Sequence, residues 1–259
     1  MATVLVTGGS KGVGFELAKQ FAADGYDIVI SARTGKDLSI ASEKISSQFG
    51  VKVTQIQTDL SSENGPLSLY KELKRKVHTI DVLVNNAGIG LFGPFLQTDS
   101  RSEEQLLHLN IISVVKLSRL FLPEIIRNNG GILNVASTAA FQPGPMMSVY
   151  YASKAFVLSF SEALAQEYSD QGIKISVLCP GPTRSAFYLR GAIDNTKLIK
   201  SGLVKLMEPQ RAAFIGYNGF KKGKRIIIPG LKNQIGAFLA KLAPLSVSAK
   251  FVKALNQTR

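Results

Sequence analysis

Tyr150 and Lys154 stand four residues apart in Tyr150-Tyr151-Ala152-Ser153-Lys154, so on a helix they share one face. A phenol with a reference pKa of about 10 is a poor proton donor or acceptor near neutrality. An ammonium on the same face favours the phenolate and draws that pKa downward, which makes the pair a candidate general acid and base. Ser137 lies thirteen residues before Tyr150, at the end of the apolar run Ile132–Ala136. A hydroxyl at the carboxyl end of a strand sits on the side where open α/β sheets bind ligands. It can hydrogen-bond a substrate oxygen as charge builds there. Tyr151 competes with Tyr150, but its spacings, three to Lys154 and fourteen from Ser137, fit less well.

A second group of residues has phosphate chemistry. Thr7-Gly8-Gly9-Ser10-Lys11-Gly12-Val13-Gly14 falls between a first apolar run and a first helical pattern. Gly8, Gly12 and Gly14 let a backbone turn sharply and approach a pyrophosphate, which then rests on the helix N-terminus. The end of a second strand reads the ribose 2′ position in such folds, and an acid there favours NAD. Here the chain reads Ser31-Ala32-Arg33-Thr34. The Arg33 fork suits a 2′-phosphate, and Lys11 in the glycine turn adds a second charge, so the expected cofactor is NADP(H). The plainer alternative is that both are ordinary surface cations.

The elements that must position these groups alternate along the chain. Strands are expected at Thr3–Val6, Asp27–Ser31, Lys52–Thr58, Asp81–Val84, Ile132–Ala136, Lys174–Leu178 and Arg225–Ile228. Helices are expected at Gly12–Asp24, Lys36–Gln48, Pro66–Val77, Glu103–Arg127 and Val149–Asp170. Runs such as Ile28-Val29-Ile30 are apolar throughout, as strands buried on both faces are. The pattern predicts an α/β fold: a single doubly wound (Rossmann) parallel sheet of about seven strands with helices on both faces. The stretch Pro180–Glu208 interrupts the alternation and is expected to be an irregular or helical insertion over the site.

In order and spacing, Thr7-Gly8-x-x-x-Gly12-x-Gly14, Asn85-Asn86-Ala87-Gly88, Asn110, Ser137, Tyr150-x-x-x-Lys154 and Pro180-Gly181 resemble the short-chain dehydrogenase/reductase family over about residues 3–230. That resemblance implies an oxidoreductase interconverting a carbonyl and an alcohol, with Tyr150 as general acid/base. Lys154 would lower its pKa and hold the nicotinamide ribose, Ser137 would orient the substrate oxygen, and Asn110 would support a water-linked proton path. Gly8, Ser10, Lys11, Gly12, Val13, Gly14 and Arg33 would hold the cofactor. Asp59 would contact its adenine, Asn86 and Ala87 would border it, Thr183 would meet its carboxamide, and Gly88, Pro180 and Gly181 would also bind it. The family also implies a homodimer or homotetramer built partly from the two long helices. A non-catalytic NADP(H)-binding redox sensor is the alternative from another class; it would have no need of the Tyr/Lys pair.

Composition narrows the rest. One cysteine, Cys179, gives no internal disulfide framework and reads as an inert core residue. His78 and His108 share no ligand spacing, so no metal site is expected. Met1–Gly9 runs straight into a strand and turn without a charged leader, which reads as a cytoplasmic chain. Phe92, Phe95, Met146, Met147, Phe187, Tyr188 and Leu189 make the expected substrate side apolar. The net charge of +13 is uneven: residues 1–184 hold 17 Lys/Arg and 16 Asp/Glu, residues 185–259 hold 14 and 2. No basic module with interleaved aromatics accompanies it, so nucleic acid is not an expected partner. Residues 231–259 form a basic extension of the same domain, one or two amphipathic helices broken near Pro244. Packing on the domain or on a second subunit is the first reading of it. Peripheral contact with an anionic membrane is the second.

Overall fold

Alternating β-rich runs and helical stretches fold into one layered sheet in the computed structural model, which describes residues 1–184 and 206–256. The strands are β1 (Thr3–Thr7), β2 (Asp27–Ala32), β3 (Val53–Gln57), β4 (Val82–Asn85), β5 (Gly131–Val135), β6 (Lys174–Leu178) and β7 (Ile226–Ile227). Between them run α1 (Gly12–Ala23), α2 (Gly35–Phe49), α3 (Gly65–Lys76), α4 (Ser100–Leu107), α5 (Ser113–Arg127) and α6 (Ser148–Glu167). The later helices are α7 (Pro209–Lys221), α8 (Leu231–Leu242) and α9 (Leu245–Asn256). All pairings are parallel, in the order β3-β2-β1-β4-β5-β6-β7.

Side chains of a strand alternate between faces, and the core divides accordingly. Val4, Val6, Ile28, Ile30 and Val84 pack beneath α1, α2 and α7. Leu5, Val29, Leu83 and Ile132 pack against α3 and α5 on the other face. The chain reverses its winding at β1, which pairs with β2 on one side and β4 on the other. The crevice at such a switch point is where ligands bind in open α/β sheets. The in-line register (Thr7 beside Ser31, Asn85 beside Asn134, Val135 beside Leu178) brings the carboxyl ends of five strands to one edge.

Two details depart from the sequence expectation. The helix expected from Glu103 begins at Ser100, capped by Asp99, whose carboxylate accepts from Ser102 N at 2.9 Å. It then widens into a π-turn at His108–Ile112 before α5. Helix α7 has no counterpart among the expected elements. Pro209 at its start is a helix-opening signal, and Ala212, Ala213, Gly216, Tyr217 and Phe220 form its buried stripe. Gly216 and Gly219 weaken the helical reading of that stretch. Both are required by packing, because a Cβ would lie 2.6 Å from Leu178 at Gly216 and 2.8 Å from Ile227 at Gly219.

A buried polar chain ties the sheet to the two helices that carry the site. Asn85 Nδ2 donates to Asn134 Oδ1 at 2.9 Å, and Asn134 Nδ2 donates to Ser161 Oγ on α6 at 2.9 Å. Asn85 Nδ2 also lies 3.3 Å from Ser118 Oγ on α5. Removing one member of a buried network strands the others without water. Asn134→Ala is therefore expected to lower stability by about 2 kcal/mol. Urea titration should show a reduced midpoint with an unchanged slope.

Candidate active site

At the switch point the glycine turn leaves β1 and enters α1. Gly8 and Gly12 take φ of 64° and 60°, a left-handed backbone that favours glycine. A Cβ on Gly14 would sit 2.2 Å from Asn86 Nδ2 and 2.5 Å from Gly8 O. Thr7 and Asn86 clasp this turn to the end of β4. Thr7 Oγ1 accepts from Asn86 N at 3.0 Å and Ala87 N at 3.1 Å, while Asn86 Nδ2 donates to Thr7 O at 2.9 Å. Lys11, the N-cap of α1, supplies no side-chain cap. The first amides of that helix, from Gly12 and Val13 onward, therefore lack a side-chain acceptor and form a ready anion site. Bare backbone, exposed amides and the positive end of a helix fit a dinucleotide pyrophosphate.

The two basic residues behave differently. Arg33 follows β2 directly and is exposed, with no ion-pair partner among the described residues. Its carbonyl accepts from Gln57 Nε2 at 3.0 Å, which fixes its backbone. Lys11 is not a free second charge: its ammonium pairs with Asp37 at 2.8 Å. Asp59 lies two residues past β3 on the same edge, its Oδ1 held by Ser61 N at 2.9 Å and Ser61 Oγ at 2.6 Å.

On the other side of the crevice, four expected residues converge from three elements. Asn110 sits in the π-turn, buried, with its Oδ1 accepting from Ile89 N at 3.0 Å. Its Nδ2 donates to Ile89 O at 2.9 Å and Ser153 Oγ at 3.0 Å. Ser153 in turn donates to Tyr150 O at 2.7 Å, so Asn110 braces the segment after β4 against the helix carrying the tyrosine. A Cβ on Gly88 would meet Asn110 Oδ1 at 3.2 Å and Lys154 Nζ at 3.3 Å. Backbone, amide and ammonium thus share one small space. Ser137 follows β5, accepts from Ala139 N at 3.1 Å, and hydrogen-bonds the Tyr150 side chain.

The electrostatics differ from the sequence expectation. Burial, the largest influence, pushes the Tyr150 phenol well above the ordinary tyrosine value, against a lowering contribution from Ser137. Burial also pushes Lys154 down to about 8, while nearby Cys179 opposes that shift. The ammonium lies 5.9 Å from the Tyr150 ring centre and donates to Val135 O at 3.0 Å. Burial, not the neighbouring ammonium, is thus the largest influence on the Tyr150 phenol in the free protein. Desolvation of both groups dominates, and near neutrality the phenol keeps its proton.

Pro180, Gly181 and Thr183 line the edge after β6. Thr183 is buried, donates to Gly181 O at 2.8 Å, and bridges to Met207 in parallel fashion. The side chain of Asn233 on α8 packs against Gly181, where a Cβ would lie 2.5 Å from it. Of the apolar residues expected around a substrate, Met147 is buried and Phe95 exposed. Leu91, Phe95, Met146, Met147 and Val149, together with Thr98, Glu103 and Ser148, line a shallow depression at the start of α6. Phe187, Tyr188 and Leu189 lie outside the described residues.

One contributor carries no sequence signal. Asn256, at the end of α9, donates to Pro145 O at 2.9 Å and hydrogen-bonds the Tyr151 side chain. Next to it Met146 takes a φ of 71°, a strained position for a residue with a side chain. The loop entering α6 is thus held from the far end of the chain.

Comparison with known proteins bears on the family and the fold. The family model for short chain dehydrogenases matches residues 2–190. The 17-beta-hydroxysteroid dehydrogenase type 3 of Mus musculus is 39% identical over 182 residues, 68% of this chain and 58% of that protein. This chain therefore spans less than two thirds of the length of the curated mammalian relatives it matches. The ketoacyl reductase HetN of Nostoc sp. is 28% identical over 257 residues, 98% of this chain and 84% of the relative. Among solved structures, a short-chain dehydrogenase from Sphingobium yanoikuyae in complex with NADPH superposes with a TM-score of 0.81 at 30% identity. The match covers 93% of this chain and 95% of that one.

The buried ammonium has a consequence for stability. Because folding lowers the Lys154 pKa from 10.5 to about 8, the unfolded chain binds the proton more tightly. The penalty is fully present below about pH 8 and is relieved as pH rises through 10.5. After allowance for the lost bond to Val135, Lys154→Met is expected to be more stable than the parent by about 2 kcal/mol at neutral pH. Urea titrations across the alkaline range should show that gap closing as the pH approaches the ordinary lysine value.

Proposed function

The chain belongs to the short-chain dehydrogenase family, and from that premise we propose that it interconverts a hydrophobic carbonyl compound and its alcohol, using NADP(H). The observation that carries this reading is the meeting of Tyr150, Lys154, Ser137 and Asn110 within one buried corner beside the glycine turn. A bound nicotinamide dinucleotide supplies the hydride in one direction and accepts it in the other.

This chain's own residues handle the oxygen and the proton. Ser137 Oγ, already bonded to the Tyr150 side chain, orients the substrate oxygen and stabilises negative charge as it develops there. Tyr150 holds its proton in the free protein and delivers it to that oxygen. Lys154, on the same helical face, stabilises the phenolate left behind. Asn110 keeps the helix and the Gly88 segment at their spacing. The amides of Ser10, Gly12 and Val13 would hold the pyrophosphate. Arg33 would hold a 2′-phosphate; it supports NADP(H) over NAD(H), as does the Sphingobium relative solved with NADPH. The paired Lys11 adds less than its position in the turn suggests.

The apolar residues of the depression at the start of α6, Leu91, Phe95, Met146, Met147 and Val149, support a hydrophobic substrate, of the kind named for the hydroxysteroid, 3-oxoacyl and ketoacyl relatives. Assembly as a homodimer or homotetramer is part of the same reading. It is supported by Ile112 beside α5 and Phe156 on α6, both left exposed.

An NADPH-oxidation screen over ketosteroids, 3-ketoacyl thioesters, quinones and small aldehydes tests the reading. At least one apolar ketone should be turned over, and Tyr150→Phe should reduce kcat by about a hundredfold or more while leaving NADPH affinity intact. If NADPH binds but no carbonyl is reduced, the redox-sensor alternative stands instead. Arg33→Ala should weaken NADPH binding by about tenfold to a hundredfold and leave NADH binding nearly unchanged, as read by fluorescence titration.

A further inference from the structure

Helices α8 and α9 are built with their apolar sides outward. On α8 only Ala237 and Ala240 are buried, against Ala140, Phe141 and their neighbours. On α9 the buried residues are Ser248, Val252 and Asn256. Leu231, Phe238, Leu239, Leu242, Leu245 and Phe251 are each 58–71% exposed. With about 100° between successive residues, the large residues of α8 form one stripe, its buried alanines lie opposite, and Lys232 and Lys241 flank it. Monomeric proteins rarely leave an apolar patch of this kind without a partner. Packing on the protein's own domain, the first reading of this tail, accounts for only the small-residue faces.

The charge on this surface selects the occupant. Residues 231–259 contain four lysines and one arginine and no acidic residue. Lys241 reaches over the Phe141 ring at 5.3 Å, while Lys232 on α8 and Lys250 and Lys253 on α9 are exposed. A two-fold contact through this face would set two lysine-bearing surfaces without acidic residues against each other. A bilayer with anionic headgroups answers both halves of the surface at once. Each helix has 12 residues, about 18 Å in length against a hydrocarbon core of about 30 Å, which suits lying in the interface.

We propose that α8 and α9 dock the protein in the plane of an anionic lipid surface, with Leu231, Phe238, Leu242 and Phe251 among the acyl chains and the lysines at headgroup level. The docking is independent of turnover, so it stands or falls without reference to the carbonyl chemistry.

Co-sedimentation of the full chain with vesicles tests it. Vesicles of equal parts phosphatidylcholine and phosphatidylglycerol should carry the protein down. Phosphatidylcholine alone should do so at least about tenfold more weakly, since each lysine contributes roughly fivefold. High salt should narrow the difference. The exposed double substitution F238S/F251S should keep its thermal midpoint and lose at least about tenfold in vesicle affinity. Protein left in the supernatant with the anionic vesicles overturns the proposal, as does vesicle binding unchanged in F238S/F251S. So does a dimer in gel filtration that F238S/F251S converts to monomer without any vesicle binding, a result that would assign the face to a second copy.

Discussion

Thr7 and Asn86 hold the ends of β1 and β4 together, and the rest of the site is arranged around that clasp. Parallel strands have no tight turn between them, so nothing local fixes the loops at their carboxyl ends. A hydroxyl that accepts from two successive amides, and an amide that returns to the glycine turn, supply that fixation. Because Asn86 fills the space beside Gly14, the turn can carry no side chain there, and its backbone is left bare toward the crevice. The shape of the glycine turn and the strand-end geometry therefore rest on the same few atoms.

From the clasp the chain leads through Ala87 and Gly88 to Ile89, where Asn110 grips both backbone groups. Asn110 makes this grip from within the π-turn His108–Ile112, a single-turn widening frequent at functional sites. Through Ser153 the same amide reaches the backbone of Tyr150. Tyr150 and the glycine turn are thus joined by a continuous line of short polar contacts, with Lys154 lodged beside Gly88 at its centre.

Much of this is legible in the amino-acid sequence. Glycines at fixed offsets, a tyrosine and lysine one helical turn apart, and apolar runs of strand length are local patterns with local causes. What escapes are features decided by distant partners. Helix α7 reads poorly because Gly216 and Gly219, required by contacts with Leu178 and Ile227, lower its intrinsic helicity. The π-turn adds width without altering composition, so hydrophobic spacing does not register it. The tail is recognisable as amphipathic, but which face turns inward is decided by the small-residue shelf at Ala140 and Phe141. The protonation of Tyr150 and Lys154 depends on how thoroughly the fold removes water from both, which spacing alone does not encode.

The bond from Asn256 to Pro145 joins residues 111 positions apart. It makes the last helical turn part of the wall beside Tyr151. Substitutions in the tail and in the loop entering α6 are consequently not separate evolutionary experiments. A tail from one homologue grafted onto the core of another arrives with its own requirement for where Pro145 belongs. The tail that we propose docks on a lipid surface is thus also the segment that fixes the loop entering α6.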